Sequence, residues 1–330
     1  MKILLTGAEG FIGSHVLEEL VSRGHQVTAV AQYNSFNHRG WLDTVQPVQG
    51  SDFQVMMGDV RDSGFVHDAV RGHSHVIHLA ALIAIPYSYA APRSYIETNV
   101  LGTLNVLDAC RRHDVKRLVQ TSTSEVYGSA QFVPINEQHP LAGQSPYSAS
   151  KIGADHLAQS YWASYSTPVV ILRPFNSYGP RQSQRAFIPS VISQLLSGAA
   201  TLSVGAINTT RDLTFVADTA RGFADVVESE RGLGEVFNMG SGFEVSMGQV
   251  IEELFAISGL QLEVVTDAQR LRPEASEVDR LWSDSARMLK TFGWSPTHKG
   301  RDGLRRGLAS TFEWFETSGN VARTPRIFVV

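Results

Sequence analysis

The chain holds one cysteine, Cys110, in 330 residues. A single thiol closes no internal disulfide, which fits a reducing compartment. Within NVLDACRR, Cys110 reads as a small buried apolar side chain. Long apolar runs are missing too. No stretch reaches the roughly 18 residues that mark a spanning helix. The apolar start, MKILLTG, is too short for a secretory leader and runs into a glycine loop. These absences set the expectation of a soluble, cytoplasmic protein with no membrane partner. Excess positive charge is also lacking. Lys and Arg number 28 against 32 Asp and Glu, a net charge of −4. Nothing in that balance draws the chain to nucleic acid. No internal repeat and no low-complexity segment appear. What is present is an ordinary globular composition, 43% hydrophobic and 18% charged. The length allows a large core or two domains.

Short apolar runs alternate with helical patterns in the first half. The pattern predicts strands near 2–6, 26–31, 53–57, 75–79, 116–121 and 168–173. It predicts helices over 12–23, 63–71, 93–113 and 146–166. Such alternation gives an α/β fold, a doubly wound parallel (Rossmann) sheet covered on both faces. After about residue 180 short strand-like pieces (TLSVG, RDLTFV, EVFNMG, LEVV) interleave with helices near 187–197, 216–229, 246–258 and 302–316. The expected division is a dinucleotide-binding domain over 1–180 and a smaller α/β substrate lobe over 181–330, with segments crossing between them. The last residues, ARTPRIFVV, are expected to form a tail or an added strand.

The first predicted strand runs into Gly7-Ala-Glu-Gly10-Phe11-Ile12-Gly13 and then a helix. Gly7 permits the tight turn, Gly10 lets a phosphate approach the backbone, and Gly13 lets helix and strand pack closely. The helix N-terminus favours the pyrophosphate. The second predicted strand normally ends in an acid that holds the adenine ribose. Here Ala31 stands at that place, no Arg follows immediately, and Arg39 is nearby. These residues leave the choice between NAD and NADP open; NAD is the cofactor expected, with NADP not excluded. Asn34 either bonds the ribose hydroxyls or forms a turn. Asp59 either meets the adenine amino group or caps the next helix. Val60 and Leu79-Ala80-Ala81, at neighbouring strand ends, complete the expected cofactor site.

Tyr147 and Lys151 stand four apart in SPYSASK, which puts both on one helical face. An ammonium beside a phenol lowers the phenol's pKa. A phenolate can then take a proton from an alcohol while hydride leaves for nicotinamide. His73, His75 and His78 alternate in GHSHVIHL, but no further ligand completes a metal site, so none is expected.

With these residues in place, the chain resembles the extended short-chain dehydrogenase/reductases over essentially its whole length. The succession TGAEGFIGSH, GDVRD, HLAA, TNVLGTLNVLDA, TSTSEVYG, PYSASK and RPFNSYGPR carries the resemblance. It implies a nucleotide-diphosphate sugar as substrate, oxidised first at C4. Thr123, Tyr147 and Lys151 would be catalytic, and Lys151 would also hold the nicotinamide ribose. The triplet Thr123-Ser124-Glu125 resembles that of sugar-nucleotide 4,6-dehydratases. A C4 ketone makes the C5 proton acidic, and Glu125 would remove it before water leaves from C6. Many such enzymes have an acid where Ser124 stands. Either Glu125 also protonates the leaving hydroxyl, or Ser124 relays through water. UDP-glucuronate decarboxylases share Thr-Ser-Glu, and 4-epimerases share the oxidation. A non-catalytic dinucleotide-binding regulator would have no use for the Thr-Tyr-Lys set. The longer context, ALIAIPYSYAAPRSYIETNV with TSTSEVYG and QSPYSASKIGADHLA, most resembles the dehydratases of legionaminic-acid-type pathways. That implies UDP- or GDP-N-acetylglucosamine as substrate. On the same resemblance Asn176, Arg185, Arg211 and Arg272 would grip the sugar nucleotide. Tyr87 either lines the sugar pocket or packs in its loop. A homodimer through 93–113 and 146–166 is also implied.

Overall fold

The computed structural model describes residues 1–45 and 53–318. Its strands are β1 (Lys2–Thr6), β2 (Gln26–Gln32), β3 (Phe53–Gly58), β4 (His75–His78), β5 (Arg117–Thr121), β6 (Val169–Pro174), β7 (Asn176–Tyr178), β8 (Thr201–Val204), β9 (Thr210–Phe215), β10 (Val236–Met239), β11 (Glu244–Ser246) and β12 (Glu263–Thr266). Its helices are α1 (Phe11–Ser22), α2 (Ser63–Val70), α3 (Ile85–Ala90), α4 (Pro92–Tyr95), α5 (Gly102–Arg112), α6 (Pro146–Tyr165), α7 (Phe187–Leu196), α8 (Val216–Glu228), α9 (Met247–Ser258), α10 (Ala286–Phe292) and α11 (Gly300–Thr317). Among the described residues no helix is long and apolar enough to cross a membrane.

Seven parallel strands form the main sheet, in the order β10-β6-β5-β4-β1-β2-β3. Successive side chains along a strand point to opposite faces. Leu5, Ala29 and Val170 pack on one face against Val16 and Leu20 of α1 and Phe223 of α8. Leu4, Val30 and Leu118 pack on the other against Val66, Val106 and Ala158. Burial on both faces is why these strands read as unbroken apolar runs. A three-stranded sheet, β11-β9-β7, and a two-stranded one, β12-β8, build the lobe. Its core joins α7, α9 and α11. Beyond residue 180 the chain also crosses back: α8 lies on α1, and β10 pairs with β6.

The expected strands and long helices are present within a residue or two, with one informative exception. The single helix expected over 93–113 is broken. A π-helical stretch, Ile96–Leu101, separates α4 from α5, and α3 precedes them. The wider turn brings Asn99 inward, where it is 1% exposed. Its amide accepts from Leu82 N at 2.8 Å and donates to Leu82 O and Ser150 Oγ, each at 2.9 Å. One side chain thus ties the segment after β4 to α6. Such π stretches mark functional sites more often than chance allows. The short β7, β11 and α10 give too little periodicity to be read from sequence. The expectation for ARTPRIFVV lies outside the described residues.

Candidate active site

The site lies beyond the carboxyl ends of β5, β4 and β1. Thr123 caps a short 3₁₀ turn, Ser124–Tyr127, its Oγ1 accepting from Glu125 N at 3.2 Å. This cap fixes Glu125, whose side chain is 7% exposed. Across from it α6 begins with a capping box between Ser145 and Ser148, and Pro146 fits its first turn. The cap sets Tyr147 at the helix start and Lys151 one turn on. Burial pushes the Tyr147 phenol well above its ordinary pKa; the Thr123 hydroxyl draws it down, and the Glu125 carboxylate pushes it further up. Thr123, Glu125 and Tyr147 are thereby in one small volume. Ser124, between them in sequence, is 1% exposed.

Lys151 donates from Nζ to the Thr121 carbonyl at 2.6 Å. Burial lowers its pKa to about 8, against the pull of Asp155. The expected depression of the Tyr147 pKa is therefore not found: burial dominates, and the ammonium is turned to a backbone oxygen. Asp155 continues the four-residue spacing of Tyr147 and Lys151 along α6, a signal the sequence reading passed over. It accepts from Ser122 Oγ at 2.8 Å and from Arg173 Nη2 at 2.9 Å, wholly buried. His78 lies between Thr6 and Thr103, held neutral by burial with a pKa of about 3. His73 and His75 turn instead to Thr28 and Ser74.

The glycine loop gives a direct test of fit for a dinucleotide. Gly7 has φ +69°, and a Cβ there would come within 2.7 Å of Ala80 N. A Cβ at Gly13 would come within 2.1 Å of Gly7 O. Those two glycines serve the chain's own packing of the loop against Leu79 and Ala80. A Cβ at Gly10 would meet only Gly7 O, at 3.4 Å. Its bareness serves something outside the chain, as close approach of a pyrophosphate to the first amides of α1, Phe11 and Ile12, requires. The residues fit the group. Ala81 follows half-buried, and Val60 packs beneath Gly102.

The two ambiguous residues separate. Asp59 does not cap α2; Asp62 does, accepting from Gly64 N and Phe65 N. Asp59 instead pairs with Arg61 at 2.5 Å, which holds its carboxyl below the ordinary range. Asn34 is spent on its own loop. Its Oδ1 accepts from Phe36 N and His38 N, and its Nδ2 donates to His38 O at 2.7 Å. That is the turn reading.

The lobe brings cations to the Ser124–Tyr127 turn. Arg211 of β9 is 7% exposed and feels the Glu125 carboxylate. Arg211 and Arg272 converge on Glu277, at 3.4 and 3.6 Å. Guanidinium forks of this kind suit diphosphate oxygens. Glu277 was not anticipated from sequence. The Asn176 Oδ1 is buried without a donor among the described residues. Arg185 is exposed, as is Tyr87 at 41%. Arg173 and Arg181 are held elsewhere, by Asp155 and Glu18.

Known proteins share this fold and part of this sequence. The GDP-mannose 4,6 dehydratase family matches residues 4–307. A dTDP-glucose 4,6-dehydratase of Actinoplanes sp. is 33% identical, over 96% of this chain and 98% of that protein. A double mutant of DesIV, a dTDP-glucose 4,6-dehydratase from Streptomyces venezuelae solved with NAD bound, superposes with a TM-score of 0.86. It is 30% identical, over 97% of this chain and 98% of its own. The UDP-glucuronic acid 4-epimerase of Bacillus cereus, solved with UDP-glucuronic acid and NAD, also reaches 0.86. It is 28% identical, over 96% of this chain and all of its own. With a family match across nearly the whole chain and a relative above 30% identity, the protein belongs to the GDP-mannose 4,6 dehydratase family, nucleotide-sugar dehydratases built on the extended short-chain dehydrogenase/reductase fold.

Proposed function

We propose that the chain is an NAD-dependent nucleotide-sugar 4,6-dehydratase acting on UDP- or GDP-N-acetylglucosamine. The observation that carries the reaction type is Glu125, a buried carboxylate capped into place beside Thr123 and Tyr147. Bound NAD supplies a hydride acceptor for C4 and later a donor for C6. Tyr147 takes the proton from the C4 hydroxyl, and Thr123 orients that oxygen. To act as this base Tyr147 starts as the phenolate, and Lys151, one turn along α6 and near its own pKa, would supply the positive charge that favours that form before the transfer. Glu125 takes the C5 proton once the ketone has made it acidic. The same carboxyl then returns a proton to the departing C6 hydroxyl, which leaves as water. A serine hydroxyl is too weak an acid for Ser124 to stand in for a carboxylic acid as the proton donor. An epimerase would have no use for Glu125.

The sugar assignment rests on the apolar segment after β4. Ile85, Tyr95 and Tyr147 form one apolar cluster, with Leu82 packed on it. An acetamido methyl would find apolar company there, where glucose would offer a hydroxyl. Exposed Ile96 and Leu101 on the helical stretch 93–113 support a homodimer. The test is to mix purified enzyme with UDP- and GDP-N-acetylglucosamine, dTDP-glucose and UDP-glucuronate and follow mass. Loss of one water from an N-acetylglucosamine nucleotide is expected. Turnover of dTDP-glucose alone would overturn the sugar assignment. Loss of carbon dioxide, or an unchanged mass, would overturn the reaction type.

A further inference from the structure

The end of β2 lacks its acid, yet a carboxylate is there. Ala31, at the usual acid position, is 1% exposed and points into the core. The next residue, Gln32, closes β2, and its backbone amide donates to Glu9 Oε1 at 2.9 Å. Glu9 belongs to the glycine loop after β1, the strand beside β2. Its carboxylate therefore reaches sideways to the strand end that faces the adenine ribose in this architecture. The loop beyond β2 closes over it. Trp41 N donates to Glu9 O at 3.0 Å. Gly40, at φ +59°, allows the approach, since a Cβ there would come within 2.8 Å of Glu9 Cβ.

Glu9 is thus fixed at both its backbone and one carboxylate oxygen. The other oxygen, Oε2, is buried and has no donor among the described residues. A buried acceptor left unpaired is destabilising. Burial also raises the Glu9 pKa, as expected of a carboxylate short of donors. An outside donor would relieve both, and a ribose of bound dinucleotide carries two hydroxyls at this place. Arg39, the first arginine after β2, is held by Asp43 at 2.8 Å.

We propose that Glu9 replaces the missing β2 acid, accepting the adenine-ribose 2′-hydroxyl through Oε2 and so selecting NAD over NADP. In NADP a phosphate dianion would occupy the position of that hydroxyl, facing the carboxylate. The inference rests on the dinucleotide site and is independent of which sugar is turned over.

The test uses calorimetric binding to the full chain freed of dinucleotide, with no sugar nucleotide present. The ligands are NAD, NADP and the NAD analogue lacking the adenine-ribose 2′-hydroxyl. Wild type should bind the analogue about tenfold more weakly than NAD, as loss of a hydrogen bond to a charged group implies. NADP should bind more weakly still. In Glu9→Gln, NAD should weaken by about tenfold and the penalty against NADP should shrink. Equal wild-type affinity for NAD and the analogue would overturn the proposal, and that result needs no variant to fold. An unchanged NAD-to-NADP ratio in Glu9→Gln would overturn it equally.

Discussion

Two strand ends of one sheet obtain their carboxylates by different routes. At β5 the acid comes from the same stretch of chain. Glu125 follows the strand by four residues and is set by the Thr123 cap. At β2 the strand carries alanine, and the acid reaches across from the neighbouring loop as Glu9. The first arrangement leaves a pattern along the sequence. The second exists only once β1 and β2 are paired. A missing motif residue is therefore not a missing function until the neighbouring loops have been placed.

The comparison is sharpened first at β5. Tyr147→Phe removes the group proposed to take the C4 proton. C4 oxidation should fall by about a thousandfold, in the range of lost general acid–base catalysis, with NAD affinity nearly unchanged. A loss under tenfold in single-turnover nicotinamide reduction would detach Tyr147 from the role given to it.

The next effect is one of pH. Lys151 has a pKa lowered to about 8 by burial, with Asp155 opposing the fall. The ammonium is present below that value and lost above it, so the oxidation rate should decline as pH rises through about 8. Asp155→Asn removes the opposing charge. Lys151 then releases its proton at lower pH, and the declining limb should move down. The same change breaks a buried pair with Arg173, costing about 3–5 kcal/mol in denaturant unfolding. A limb that stays in place, in a variant that still folds, would remove Asp155 from the catalytic electrostatics.

The smallest effect separates the β2 residues. Asn34→Ala loses loop hydrogen bonds, so NAD binding should weaken slightly. The ratio of affinities for NAD and its 2′-deoxy analogue should stay at the wild-type value. A ratio that collapses in this variant would move the ribose contact from Glu9 to Asn34.

Much of the molecule is visible in its sequence because its signals are local. Alternating runs mark the buried strands, and Ser145-Pro146 marks the start of α6 that aims Tyr147 and Lys151. The glycine loop is likewise a local signal. What sequence does not show comes from contacts between distant segments. Glu277 joins Arg211 and Arg272 only after the lobe folds over the sheet. Asn99 turns inward within a π stretch that interrupts its helix, a break the sequence pattern does not mark. The Tyr147 pKa follows burial, which no spacing rule reports. Asp155 is the exception, a residue on a readable four-residue repeat that went unread.

The central claim is that Glu125 performs a second step that oxidation alone does not need. The direct measurement is a single turnover of Glu125→Gln with N-acetylglucosamine nucleotide, following nicotinamide reduction and product mass together. The account predicts that reduced nicotinamide forms and persists while the sugar loses no water. Dehydrated product appearing at the wild-type rate would contradict it.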